Sequence, residues 1–327
     1  MSRSLGKLLK NVGCWIVLGL GIFPFVCNSP YLVYVFCLIG IYSMVALGLS
    51  LLLGYAGQIS LGHAGFFCIG AYCSAIIATK TDLNLWIGVL IAAFIASLTA
   101  YIISFPILRL QGYFLALATL GFGEIVEVLV NENSWLTKGP FGITQIPSLS
   151  FGGFVFDNYE KFYYLIWLVL GLMFVFSKNV VDSREGRAMK AISVNELVAS
   201  TLGINTARFK VKVFVLSAAF AGIAGSFYSF FMTAISPSDF TINLSLLVIM
   251  MVIIGGMGDL AGAVLGAIVL TAISEALSNY KEYSLSLYGL LLVVLLIFMP
   301  EGIYVGLKIL IRRCFALASK LPTIANR

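Results

Sequence analysis

From Tyr31 to Leu53 the chain passes through twenty-three residues without one charged side chain, and from Leu85 to Leu108 through another twenty-four. Runs of that length constrain the fold more than any other feature of the sequence. At 1.5 Å rise per residue, about 20 apolar residues span the ~30 Å hydrocarbon core of a bilayer. Lipid offers the backbone no hydrogen-bond partner, so such a run must bond within itself as a helix. Measured against this length, ten segments are candidates, several of them short: Val12–Cys27, Tyr31–Leu53, Ala64–Thr79, Leu85–Leu108, Gly112–Val130, Phe162–Ser177, Val211–Thr233, Ile242–Met257, Ala261–Ser278 and Leu285–Tyr304. The third and eighth are short enough to be broken or re-entrant. The expected fold class is all-α: a polytopic membrane helix bundle of about ten transmembrane helices forming one domain over residues 1–327.

Composition agrees. The chain is 61% hydrophobic and 10% charged, against roughly 45–50% apolar and about 25% charged in soluble domains. Too few polar side chains exist to cover a water-soluble globule of this size. Arg3, Lys7 and Lys10 ahead of Val12–Cys27 imitate an export signal. No small-x-small site follows, and Val26 before Cys27 is too large for a lipoprotein-type site, so the segment is read as a retained first helix. The six cysteines (Cys14, Cys27, Cys37, Cys68, Cys73, Cys314) form no C-x-x-C pair. Most fall inside apolar runs, where they act as small hydrophobes.

The charges test the span count separately. With a cytoplasmic N-terminus and ten spans, sixteen of the twenty Lys and Arg residues fall on the inner side, counting Lys212 at the membrane edge. Only Lys80, Lys138, Lys161 and Lys281 fall outside. The positive-inside rule demands that bias, and an odd span count would destroy it. Both termini are therefore expected in the cytoplasm, with the protein in the cytoplasmic (inner) membrane. Residues 131–161 become an extracytoplasmic loop, too aromatic (Trp135, Phe151, Phe154, Phe156) for a loose linker. Residues 178–210 become the main cytoplasmic loop. The net charge of +6 belongs to the membrane surface, and nucleic-acid binding is not needed to explain it.

Several chemistries are excluded. There is no G-x-x-x-x-G-K-[ST] phosphate loop and no H-E-x-x-H zinc motif, and the sequence holds one histidine. The run Gly256-Met257-Gly258-Asp259-Leu260-Ala261-Gly262 has the wrong spacing for a dinucleotide fingerprint. With Gly262-x-x-x-Gly266 it suits close helix packing instead. No cofactor or metal is expected, and the chain is not read as an enzyme.

Three constellations remain. In Gly54-Tyr55-Ala56-Gly57-Gln58-Ile59-Ser60-Leu61-Gly62-His63-Ala64-Gly65, four glycines (Gly54, Gly57, Gly62, Gly65) interrupt an apolar region and shape its backbone, while Gln58, Ser60 and His63 supply polar groups where lipid would make them costly. Broken membrane helices use such segments to face substrate; a plain turn with a helix cap has the same sequence. In the second, Glu124 and Glu127 share a helical face, Glu124 lying about 18 Å along a helix that starts near Gly112. A carboxylate at that depth faces a cavity or a polar partner, so the pair either meets a substrate ammonium or pins helices together. The third, Glu196 through Gly203, forms a short amphipathic helix with Leu197, Val198 and Leu202 on one side and a glycine C-cap. It either lies on anionic lipid or docks into a partner protein. A fainter echo, G-x-A-G-x-F at both Gly62 and Gly222, is what two five-helix repeats would leave.

Taken in order, GYAGQISLGHAGFF, LQGYFLALATLGFGEIV, KGPFGI, GRAMKAI with NELVASTLGI, FVLSAAFAGIAGSFY, IIGGMGDLAGAVLGA and FMPEGI resemble the permeases of branched-chain amino-acid ABC importers, from about Ile41 to Ile303. The urea permeases of the same family are similar. The resemblance implies a membrane subunit that translocates leucine, isoleucine and valine and leaves ATP hydrolysis to others. Its implied partners are a second related permease, two ATPase subunits and an extracytoplasmic solute-binding protein. It also implies that Glu196, Ala199 and Gly203 couple to the ATPases, with one residue more between Glu196 and Gly203 than in the E-A-A-x-x-x-G form. The rival class is an ion-coupled secondary carrier, with His63, Glu124 and Glu127 as its proton relay.

Overall fold

The protein is described by a computed structural model covering residues 29–81, 84–151, 154–276, 289, 302–304 and 306. The expected first span, Val12–Cys27, and nearly all of the tenth, Leu285–Tyr304, lie outside the described residues. The other eight expected segments fall on helices.

Helix α1 (Pro30–Leu49) begins with proline, whose missing N–H costs nothing in a first turn. It runs on without a break as a π-helical stretch, Ser50–Tyr55. After an irregular link come α2 (His63–Lys80), α3 (Leu85–Ile107) and α4 (Tyr113–Glu132). The Asn84 side chain caps α3 by accepting from the Trp86 N–H, and Pro106 closes its last turn. The short α5 (Ser134–Thr137) leads into a hairpin of two-residue strands, β1 (Ser150–Phe151) and β2 (Phe154–Val155). Then follow α6 (Tyr159–Asp182), α7 (Arg184–Val194), α8 (Glu196–Thr201), α9 (Thr206–Met232), α10 (Ile242–Gly255) and α11 (Leu260–Ala276).

Six helical stretches among the described residues are long and apolar enough to cross a membrane: Pro30–Tyr55, Leu85–Ile107, Tyr113–Glu132, Tyr159–Asp182, Thr206–Met232 and Pro237–Gly255. Helix α2 is continuous over 18 residues, so the irregular backbone expected near the third span sits ahead of it, at residues 57–62. The chain is a multi-pass membrane protein, and its described residues are almost wholly helical. The hairpin is the exception. Ile143 pairs with Ile235, and the Ile146 N–H donates to the Thr233 carbonyl at 3.0 Å, so residues 143–151 and 154–156 are tied down at one end of the bundle.

Helices α1 and α9 form the centre. Where α9 crosses α2, Gly70 and Gly222 bring the two backbones together, and a Cβ on Gly70 would overlap the Gly222 carbonyl. Hydroxyls line the same contact, with Ser74 Oγ 2.9 Å from Ser229 Oγ and Ser226 Oγ donating to the Gly70 carbonyl at 3.3 Å. Small residues and short hydroxyls are how membrane helices gain contact area, because lipid supplies no hydrophobic drive between them. The expected Gly262/Gly266 approach is present too, against Gly255 and Met251 of α10.

Candidate functional site

The glycine-rich link between α1 and α2 is where separate parts of the fold converge. The π-helical turn at Ser50–Tyr55 widens the end of α1, a distortion common at functional sites. The chain then turns at Gly57, whose φ of +66° disfavours any residue with a side chain. The Gln58 N–H returns to the Leu52 carbonyl at 3.1 Å. Gly54 lies against the backbone of Gly258 in the α10–α11 turn, where a Cβ would stand 2.5 Å from the Gly258 nitrogen. Gly57 faces Ser193 at the end of α7, with an added Cβ 3.3 Å from its Cα. Gly62 meets the Thr119 carbonyl of α4, and Gly65 faces Gly123 on the same helix. Four glycines thus bring the link against three other segments.

Polar groups tie the link together. The buried His63 ring joins two serines, with Ser60 Oγ 3.1 Å from Nδ1 and Ser217 Oγ of α9 2.6 Å from Nε2. Both partners are neutral hydroxyls. The Leu61 N–H donates to Thr119 Oγ1 at 2.9 Å, and the Ala64 N–H donates to Ser245 Oγ of α10 at 3.0 Å. The second satisfies one of the N–H groups that the start of α2 otherwise leaves orphaned, and the first ties the link to α4. Gln58 is different. It is 3% exposed, and neither its amide oxygen nor its amide nitrogen has a partner among the described residues. A buried, unpaired amide costs roughly 1–3 kcal/mol; a polar ligand or a water would remove that penalty.

Glu124 and Glu127 stand on α4. Glu127 is half-buried, and Glu124 lies on the outer face of the bundle. Neither carboxylate has an ion-pair or hydrogen-bond partner among the described residues. Glu124 also lines a small cleft with Leu61, Ala64 and Ser245, so it borders the glycine-rich link. Its neighbours along the helix face, Leu117 and Val128, are exposed and apolar. The structure therefore brings the first two constellations side by side.

The third constellation is held by caps. Ser183 Oγ accepts from the Glu185 and Gly186 N–H groups at the start of α7, and Asn195 Oδ1 accepts from the Val198 N–H at the start of α8. Gly203 ends α8 in the left-handed region, φ +83°, and the Ile204 N–H closes onto the Ala199 carbonyl at 3.2 Å. Ala199 is the buried residue of α8, and Glu196 pairs with Lys210 at 2.5 Å. Leu197, Val198 and Leu202 form an exposed apolar ridge. Helix α7 connects this ridge to the link, through Gly57 against Ser193 and through the Lys190 ammonium, 5.3 Å from the centre of the Tyr55 ring.

Sequence reasoning did not select Ser217, Thr119 or Ser245. Ser217 and Thr119 lie inside motifs that mark the family, but nothing in their spacing announces a partner. Ser245 carries no sequence signal at all.

A family profile described as branched-chain amino acid transport system / permease component matches residues 31–300. The chain is 35% identical over 286 residues to the high-affinity branched-chain amino acid transport system permease protein LivM of Escherichia coli, an alignment covering 80% of this chain and 67% of that protein. It is 30% identical over 286 residues to the permease protein LivH of the same system and organism, covering 80% and 90% respectively. Against the permease protein BraD of Pseudomonas aeruginosa the identity is 27% over 289 residues, covering 80% and 91%. No solved structure matches the chain.

Proposed function

This chain belongs to the family of branched-chain amino acid transport system permease components, and from that premise we propose that it is the membrane subunit of an ATP-binding-cassette importer that carries leucine, isoleucine and valine inward. Its likeness to two differently named permeases of one bacterium supports a second permease at its side. Two ATPase subunits and an extracytoplasmic binding protein complete the assembly.

One observation carries the mechanism: the backbone of Gly57, in the polar link, lies against Ser193 at the end of α7. Force applied to the α8 ridge by a closing ATPase passes through α7 to the link in one step. In this reading Glu196, Ala199 and Gly203 form the coupling element, with the Glu196–Lys210 pair and the burial of Ala199 fixing α8 to the body. Residues 178–210 face the cytoplasm, and residues 131–161 face outward toward the binding protein. The protein lies in the inner membrane with ten spans, both termini inside and two five-helix repeats.

The substrate pathway runs past Gln58, Ser60, His63, Glu124 and Glu127. A branched-chain amino acid brings an ammonium, a carboxylate and an apolar side chain. The unpaired Gln58 amide can donate to the carboxylate, and Glu124 can receive the ammonium. The glycines Gly54, Gly57, Gly62 and Gly65 keep the backbone thin enough for the link to shift between α4, α7 and the α10–α11 turn.

The test is uptake of labelled leucine into proteoliposomes containing the chain with its second permease, ATPase and binding protein. ATP-dependent uptake is expected, competed by isoleucine and valine and not by urea. Uptake without any ATPase subunit would establish the carrier reading instead.

A further inference from the structure

At the end of the bundle that carries α7 and α8, the last turn of α3 and the first turns of α9 diverge and leave a groove of about 510 Å³. Its walls are apolar, formed by Tyr101, Phe105 and Leu108, and Tyr101 and Phe105 are about half exposed on the outer surface of the bundle. Its rim is basic: Arg109 follows α3, and Arg208 and Lys212 stand on the first turns of α9. Lys212 is already paired with Glu185 at 2.6 Å. The two guanidinium groups are not; among the described residues neither Arg109 nor Arg208 has a side-chain hydrogen bond or an ion pair.

We propose that this groove binds one anionic phospholipid, with the phosphodiester between Arg109 and Arg208 and an acyl chain along Tyr101, Phe105 and Leu108. The charge pattern selects this occupant. Two unpaired arginines at the mouth of an apolar groove ask for a group that is anionic at one end and apolar for the rest of its length. A guanidinium fork matches two phosphate oxygens. Basic clefts between membrane helices near the surface bind acidic headgroups in this way. A soluble anion would satisfy the rim and leave the aromatic walls uncovered, and a zwitterionic lipid would bring its own cation against the arginines. The site lies outside the proposed substrate pathway. It joins α9, whose Ser217 holds His63, to the turn that leads into α4, whose Thr119 meets the link, so an occupied groove would brace two elements that contact the link.

Membranes containing the full chain, with whatever partner subunits co-purify, are solubilised in mild detergent and analysed by native mass spectrometry during titration with dioleoyl-phosphatidylglycerol or dioleoyl-phosphatidylcholine. One tightly held phosphatidylglycerol per chain is expected, and no equivalent phosphatidylcholine. A surface arginine contributes about fivefold to acidic-lipid binding, so Arg109→Gln with Arg208→Gln should weaken it about 25-fold. Lys178→Gln with Arg184→Gln removes two charges outside the groove and should leave the affinity unchanged. Equal loss in that control would mean diffuse surface attraction and overturn the proposal, as would wild-type affinity in the arginine double variant. Displacement of the lipid by millimolar inorganic phosphate would overturn the acyl-chain half. Should the arginine variant fail to fold, Phe105→Ser, which leaves the rim intact, should weaken phosphatidylglycerol binding while retaining phosphate. Unchanged lipid binding there refutes the groove. Cross-linking of Tyr101→Cys to a partner subunit, with no lipid retained, would assign the surface to protein instead.

Discussion

Replacing Gly62 by alanine adds one methyl group at the tightest point of the candidate pathway. The backbone there tolerates alanine, since φ is −103°, so any effect comes from space alone. The new Cβ would overlap the Thr119 carbonyl oxygen, stand 3.0 Å from its carbonyl carbon and lie 3.3 Å from Phe122 Cδ1. The oxygen belongs to helical backbone and cannot swing aside, so α4 and the link must separate by several tenths of an ångström or more. Overpacking of this kind costs about 1–3 kcal/mol. Separation also stretches the 2.9 Å bond from the Leu61 N–H to Thr119 Oγ1, worth another 0.5–1.5 kcal/mol or so. A total near 3 kcal/mol corresponds to a fall in melting temperature of roughly 6–12 °C, at about 2–4 °C per kcal/mol for larger domains. The assay is the fraction of monodisperse protein surviving a temperature series, read by size-exclusion chromatography in detergent. Gly121→Ala is the internal control. It lies on α4 with nothing within 4 Å of its added Cβ, and alanine in place of a helical glycine should raise stability slightly. If Gly62→Ala melts with wild type while Gly121→Ala behaves as expected, the backbone contact between the link and α4 is wrong, and with it the joining of the first two constellations.

Three further outcomes follow from the same geometry. Ser217→Ala leaves one nitrogen of the buried His63 without its partner and should destabilise the chain by about 1–3 kcal/mol; Ser217→Thr, which keeps the hydroxyl, should recover part of this in the same melting assay. Glu124→Gln should assemble at wild-type level yet lower leucine uptake in proteoliposomes, because its carboxylate has no partner among the described residues; loss of assembled protein would mark it as a structural tie. Gly203→Arg places a side chain at φ +83° in open space, straining only the end of α8. Insertion and binding-protein docking should therefore survive while ATP hydrolysis uncouples from uptake, and normal uptake would refute the coupling assignment.

The positions of the spans were legible because lipid imposes a length and forbids charge: Leu85–Leu108 is found as Leu85–Ile107 and Gly112–Val130 as Tyr113–Glu132. The break at residues 57–62 and the left-handed cap at Gly203 were legible too, since glycine there relieves constraints that are local to the backbone. Which face of each helix is buried was not. The apolar stretch beginning at Pro30 is 89% buried and that of Tyr113–Glu132 only 22%, although both read as apolar. In water an amphipathic stripe reports the buried side, but lipid tails are as apolar as leucine, so a membrane helix can be apolar all round and give no such report. For that reason only the tertiary structure decided that Glu124 stands on the outer face, that Gln58 is enclosed without a partner among the described residues, and that His63 finds Ser217 from 154 residues away. The Ile143–Ile235 bridge also arises from a contact between distant segments. Length and charge exclusion act along the chain and are written in it, whereas partnership between polar groups depends on which helices meet.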